Sequence, residues 1–176
     1  MKFGQNNDLL VLTQNQTRLK SLHTLSRDTG TVNVLYESES TAYSPQSFTR
    51  AIRSGDLVLL VGNDGATLHH MQNRTYDDFN RNDIPDWMIN AQFELSVQNT
   101  VFLFDRSGGQ VDTQIYAIEA SNLADPDYIR NGGLYGITPQ VVAGEVRSYW
   151  EWNTDSIGII DGNRDIHIIT SNQRIR

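Results

Sequence analysis

Four segments of the sequence repeat one pattern, in which a run of apolar and β-branched residues meets a short turn and a second such run follows. The turns are Asp28-Thr29-Gly30, Asn63-Asp64-Gly65, Ser107-Gly108-Gly109 and Asp161-Gly162-Asn163. Asp, Asn and Gly readily adopt the left-handed backbone that tight hairpin turns need. The pattern therefore predicts four β-hairpins and an all-β fold, built as a hairpin-rich sandwich, a barrel or an open meander.

The segments between the hairpins are long, at residues 37–47, 71–86 and 121–140. Loops of this length in a compact domain are usually functional or contact a partner. Helical periodicity is limited to two short candidates, at residues 48–53 and 125–130. A chain of 176 residues fits a single β-rich domain spanning residues 1–176.

The charge and composition exclude several classes of function. The formal net charge is −7 and the pI is about 4.9, which argues against direct binding to nucleic acid. The chain has no cysteine, so disulfides and thiolate metal sites are excluded. It contains no signal-peptide pattern and no apolar run of membrane-spanning length, so we expect a soluble protein without membrane contact.

The sequence DFNRNDIPDW, residues 78–87, has the oxygen spacing of a calcium loop. Calcium prefers six to eight hard oxygen ligands. The side chains of Asp78, Asn80, Asn82 and Asp86 and the carbonyl of Ile84 are the candidate ligands. An EF-hand needs Gly at position 6 and Glu at position 12, and this loop has neither.

The same ten residues resemble one calcium loop of the FG-GAP propeller repeats, with a strand expected to begin at Trp87. Asn replaces two of the carboxylates, and Arg81 and Asp83 replace the turn glycines of that pattern. The resemblance implies a weak calcium site, in a single copy. No other cofactor is expected.

Residues 47–70, SFTRAIRSGDLVLLVGNDGATLHH, are similar to a hairpin found in small β-rich structural proteins of tailed bacteriophages. This resemblance implies a virion component, such as a capsid decoration, head–tail joining or tail protein. Its partners would then be copies of itself and other structural proteins of the assembly, and its location the virion.

The sequence contains no recognisable set of catalytic residues, so we expect a non-catalytic protein. His69 and His70 are adjacent and point to opposite faces of a strand, so they cannot both bind one metal. The sequence has no zinc-protease helix motif, phosphate-binding loop or nucleophile elbow. Catalysis by a carboxylate pair that the fold assembles stays open.

Trp150 and Trp152 give one face of a predicted strand an aromatic character. They are either a wall of the core or a platform for sugar or protein. The leading interpretation is a non-catalytic structural protein of a phage virion. The alternative is a calcium-dependent binding or adhesion module that uses the loop from Asp78 to Asp86. A third possibility is a carbohydrate-active domain that uses Trp150 and Trp152.

Overall fold

The computed structural model describes residues 2–3, 8–14, 20–26, 29, 31–38, 48–73 and 75–171. Its strands form four antiparallel sheets, which confirms the predicted all-β fold. The strands within the described residues are β1 (Lys2–Phe3), β2 (Asp8–Gln14), β3 (Lys20–Ser26), β4 (Val32–Ser38), β5 (Phe48–Ser54), β6 (Leu57–Gly62), β7 (Gly65–His70), β8 (Thr75–Asn80), β9 (Phe93–Val97), β10 (Thr100–Asp105), β11 (Thr113–Glu119), β12 (Gln140–Val142), β13 (Ser148–Asn153), β14 (Ser156–Ile160) and β15 (Ile166–Thr170). The helices are α1 (Asp86–Asn90) and α2 (Pro126–Arg130), with 3-10 turns at Arg81–Asp83 and Ala120–Ala124.

Strands that are adjacent in the sequence are also adjacent in each sheet, so every sheet is a meander. The sheets are β1–β4, β5–β8, β9–β12 and β13–β15. The predicted hairpins join β6 to β7, β10 to β11 and β14 to β15. The turn predicted at residues 28–30 lies mostly outside the described residues, but the strands that flank it, β3 and β4, pair as expected.

The chain divides into two compact units, residues 1–82 and 83–176. Each unit holds two of the sheets and is described by itself. That the whole chain forms one domain stays a prediction.

In the first unit, β6 and β7 are the most buried strands for which burial is described, each with five of six residues buried. In β6 the residues from Val58 to Gly62 are all buried, so both faces of the strand lie in the interior. The neighbouring segment 48–53, predicted as a short helix, is instead part of β5, and that prediction is wrong. Its apolar residues have helical spacing, but antiparallel pairing with β6 stabilises the extended form.

In the second unit, one core lies between the sheet β9–β12 and the sheet β13–β15. Its buried members are Val97, Phe102, Phe104, Ile115, Val142, Val146, Ile157, Ile159 and Ile169. An aromatic group closes the core, because Tyr149 stacks on Phe93 with ring centroids 5.2 Å apart and contacts Phe104 at 5.3 Å. These contacts fix the inner faces of the two sheets.

The prediction that a strand begins at Trp87 is wrong, because residues Asp86–Asn90 form helix α1. Trp87, Met88 and Ile89 are all buried, whereas a strand with one solvent face would bury alternate residues. The Trp87 ring stacks on Tyr116 of β11, with centroids 4.1 Å apart and planes 8° apart. Packing over the sheet thus fixes the helical turn.

Two further local predictions have different outcomes. The helix predicted at residues 125–130 is confirmed as α2, which Asp125 caps by accepting a hydrogen bond from the backbone N–H of Asp127. The loop predicted at residues 71–86 is interrupted by the whole of β8.

Among the described residues, none of the helices is long and apolar enough to cross a membrane.

Candidate functional site

The outer face of the sheet β13–β15 carries a continuous row of apolar residues. Trp150, Gly158 and Ile168 lie side by side across its three strands. Ile160 and Ile166 lie in the next row on the same face, two residues along each strand. We call these five residues the Trp150 face.

Exposure of large apolar side chains is concentrated at this sheet. Four of the nine such side chains among the described residues lie on β13 and β15: Tyr149, Trp152, Ile166 and Ile168. Ile166 is 69% exposed and Ile168 is 39% exposed. Tyr149 packs on the inner face, so Ile166 and Ile168 are the large exposed residues of the Trp150 face itself. Single exposed apolar residues are ordinary, but adjacent ones on one sheet face indicate an interaction surface.

Trp150 and Trp152, the predicted interaction residues, have different surroundings. The Trp150 indole lies across Gly158 of the next strand and is half-buried. Trp152 is 56% exposed and lies in a β-bulge, where the register shifts between Glu151 and Asn153. The bulge interrupts the alternation of side chains along β13. The strand pairing therefore does not support the prediction that Trp150 and Trp152 share one face of the strand.

The turn between β14 and β15 is held by Asp161, a residue that is only 2% exposed. Its carboxylate accepts hydrogen bonds from the backbone N–H groups of Asn163 and Asp165, each at 2.9 Å. His167 Nε2 contacts the other carboxylate oxygen at 2.9 Å. Burial acts to raise the pKa of Asp161, but these hydrogen bonds outweigh it and hold the pKa below its usual range. Asp161 thus fixes where β15 begins.

A cleft of about 390 Å³ opens beside β15 in the second unit. It is lined by Ile115 and Ala117 of β11, by residues 136–140 and by residues 169–171. None of these lining residues is charged, and the polar ones are the neutral side chains of Thr138, Gln140, Thr170 and Ser171. The volume lies at the lower end of the range for ligand pockets, roughly 300–1,000 Å³.

The candidate calcium ligands are distributed over several elements. Asp78 and Asn80 lie in β8, Asn82 lies in the 3-10 turn, and Asp86 is the first residue of α1. Ile84 is buried. Asp78 accepts a hydrogen bond of 3.2 Å from Thr67 Oγ1 on β7. Within the described part of the chain, no group of three or more His, Asp or Glu side chains could hold a metal ion.

The sequence did not identify the two histidines of β7 as functional, and they behave differently. His70 Nε2 lies 3.0 Å from Asp77 on β8. His69 is buried, and its ring is 5.9 Å from that of Tyr76. Burial, with a smaller effect from neighbouring His70, lowers the pKa of His69 to about 4. His69 is therefore a neutral group at pH 7.

Comparisons with known proteins assign no family to the chain. No protein-family model matches it, and no curated protein matches it. Among solved structures, it is similar to the N-terminal domain of Nup159, with a TM-score of 0.45 and 11% identity over 92% of this chain and 38% of that chain. A second similar structure is the S. cerevisiae complex of a Dbp5 variant bound to Nup159, a Gle1 variant, IP6 and ADP. There the TM-score is 0.44, with 11% identity over 99% of this chain and 43% of that chain.

These matches correct one prediction. The structures that the chain resembles contain a nucleoporin domain, not a virion protein, so the predicted tailed-phage component, with its phage partners, is wrong. The chain spans about two fifths of the matched chains. At 11% identity and TM-scores below 0.5, the likeness transfers no fold, partner or activity.

Proposed function

We propose that this chain is a non-catalytic β-sheet module that binds another protein through the Trp150 face. The observation that carries the proposal is the exposure of Ile166 and Ile168 beside Trp150 on one regular sheet face. Covering the exposed part of Ile166 alone contributes about 1–2 kcal/mol. A few side chains at the centre of a contact, most often Trp, Tyr and Arg, typically supply most of its binding energy, which gives Trp150 the central place.

The described histidine–carboxylate pairs are explained by structural roles, as a non-catalytic module would have them. Asp161 is committed to its turn by three hydrogen bonds. The pair of His70 and Asp77 joins two neighbouring strands, as cross-strand polar pairs commonly do. Each pair has a structural role that accounts for its geometry.

Calcium dependence of this binding stays a prediction. Two carboxylates, Asp78 and Asp86, are the only charged members of the candidate ligand set. Calcium sites with so few charged ligands bind weakly. The binding proposed for the Trp150 face does not require the ion.

The proposal is tested by selecting ligands from a displayed random-peptide library and measuring their binding to three variants. We expect Ile166→Lys and Ile168→Lys to abolish binding of most selected peptides, because a charge is then placed on the apolar surface. Val111→Lys is the matched control, since Val111 is 76% exposed in the same unit but lies outside the face. Selected peptides that bind all three variants equally would falsify the proposal.

A further inference from the structure

We propose that the protein partner binds as an extended strand, which pairs with the outer edge of β15 and places neutral side chains in the cleft beside it. This inference rests on the proposed function and specifies its partner. It makes the sheet β13–β15 four-stranded, like the other three sheets.

The edge of β15 has the geometry for such pairing. β14 occupies one side of β15, and no other strand that the structure describes pairs with the opposite side. A strand directs its backbone N–H and C=O groups to both sides, so an unpaired edge is a template for an incoming strand. The other edge strand of this sheet, β13, is less suitable because the bulge at Glu151–Asn153 breaks its regular pairing.

The side chains of β15 also favour an incoming strand. Proteins commonly protect exposed edges with charged residues, as at β8, where Asp77 and Asp78 lie on an edge strand. β15 has the sequence IHIIT, without Asp, Glu, Lys or Arg. Ile166 and Ile168 lie on its outer face, and Ile169 lies in the core on its inner face.

The cleft determines which inward side chains are accepted. It is lined by Ile169, Thr170 and Ser171 from β15 and its end, and by Ala117 of β11 across the gap. A charged side chain would lose its hydration there without meeting an opposite charge. Apolar or hydroxyl side chains would contact Ile169 and Ala117, and their burial would cost little hydration free energy.

The occupant is a segment of another protein rather than a second copy of this chain. Two copies would each bring a formal charge of −7, and their mutual repulsion opposes association. The same charge attracts a segment that carries basic residues. The structure thus points to a short extended peptide with alternating apolar and hydroxyl residues and basic flanks.

The test uses a fluorescein-labelled peptide of sequence KTVTVTVTK, with binding followed by fluorescence anisotropy up to about 1 mM. Two further versions carry backbone N-methyl groups on alternate residues, each version blocking one edge of the peptide strand. Strand pairing requires only one edge, so we expect one version to lose binding and the other to keep it. The loss should be on the order of tenfold or more.

Protein variants locate the site. Ala117→Trp fills the cleft and Ile168→Lys changes the outer face, so both should weaken the peptide on the order of tenfold, while Val111→Lys should not. Circular dichroism establishes that each variant is folded, and if Ala117→Trp is not, the pair of methylated peptides decides the question.

The inference is overturned if no peptide binding occurs up to about 1 mM, or if both methylated versions bind like the parent. The proposed function is judged separately. Library peptides that lose binding on Ile166→Lys but tolerate methylation of either edge would keep the proposed function and reject the strand geometry. Library peptides that bind the Ile166→Lys variant as tightly as the unchanged protein would contradict the proposed function itself.

Discussion

The indole of Trp150 occupies the space that a side chain at Gly158 would need. A Cβ atom built on Gly158 would lie 2.2 Å from Cε2 of Trp150 and 2.3 Å from Cζ2. The two residues are direct cross-strand partners on β13 and β14. Glycine at position 158 thus lets the indole lie close to the sheet and hold the centre of the Trp150 face.

Gly158→Ala should destabilise the second unit by about 1–3 kcal/mol, because the added methyl group displaces the indole. Urea denaturation followed by circular dichroism measures the change. In a Trp150→Ala background the same substitution should cost almost nothing, since the clashing ring is gone. Equal costs in both backgrounds would show that Trp150 is not the obstacle.

Gly65→Ala should destabilise the first unit by about 2 kcal/mol or more. Gly65 has a φ of +146°, and a Cβ there would lie 2.3 Å from the carbonyl oxygen of Phe79. Gly55→Ala is the matched control, because Gly55 also has a positive φ, of +56°, but has open space around its Cβ position. The difference between the two variants in thermal denaturation isolates the clash, and equal losses would contradict it.

His69 should make the first unit sensitive to mild acid. Its pKa is about 4 when folded and 6.5 ordinarily, so the unfolded chain takes up a proton between these values and the folded chain does not. The stabilisation is complete above about pH 6.5 and is lost as the pH falls towards 4, by up to about 3 kcal/mol. His69→Gln should remove this dependence.

The control for that experiment is His70→Gln. Burial is the larger cause of the lowered pKa of His69, and the charge of His70 is the smaller one. The His70 variant should therefore keep most of the loss of stability between pH 6.5 and 4. If it removes the whole effect, the repulsion between the two rings and not burial is responsible.

Asp161→Asn should lower the melting temperature at pH 7, because it weakens the bonds that hold the β14–β15 turn. Asp161 has a lowered pKa, so its contribution is present above its ordinary value of 3.8 and is lost as the pH falls through the lower folded value. The variant should lack this loss in strong acid. Asp165→Asn removes the same charge from the same turn and should have little effect.

Calcium at millimolar concentration should raise the melting temperature little. A site that bound calcium tightly would add stability in proportion to the logarithm of the ion concentration. Differential scanning fluorimetry with and without EDTA measures the shift. A large rise that disappears in both Asp78→Ala and Asp86→Ala would instead establish the loop as a calcium site.

The parts of the fold that the sequence predicted correctly are those set by local backbone chemistry. Gly108 and Gly109 both have positive φ in the β10–β11 turn, which few other residues tolerate. Asp125 caps α2 through its own side chain, followed by Pro126 at the first helical position. Such signals lie within a few residues, so a single sequence contains them.

The wrong or missing predictions depend on distant partners. Trp87 is in a helix because it packs on Tyr116, almost thirty residues away. The cleft joins Ala117 to Ser171, and no local pattern connects these positions. The bulge at Trp152 is equally invisible, since one extra residue in a strand leaves its composition unchanged. For the candidate site, the sequence identified the tryptophans but not Ile166, Ile168 or the open edge.

The three tryptophans lie in different environments, from Trp87 stacked on Tyr116 to the exposed Trp152, and this has an optical consequence. All three tryptophans, Trp87, Trp150 and Trp152, belong to the second unit, and the first contains none. Their environments are graded: Trp87 is buried, Trp150 is half-buried and Trp152 is exposed. Intrinsic fluorescence excited at the red edge of the indole band therefore reports on one half of the chain alone, and a ligand at the Trp150 face would alter that emission directly.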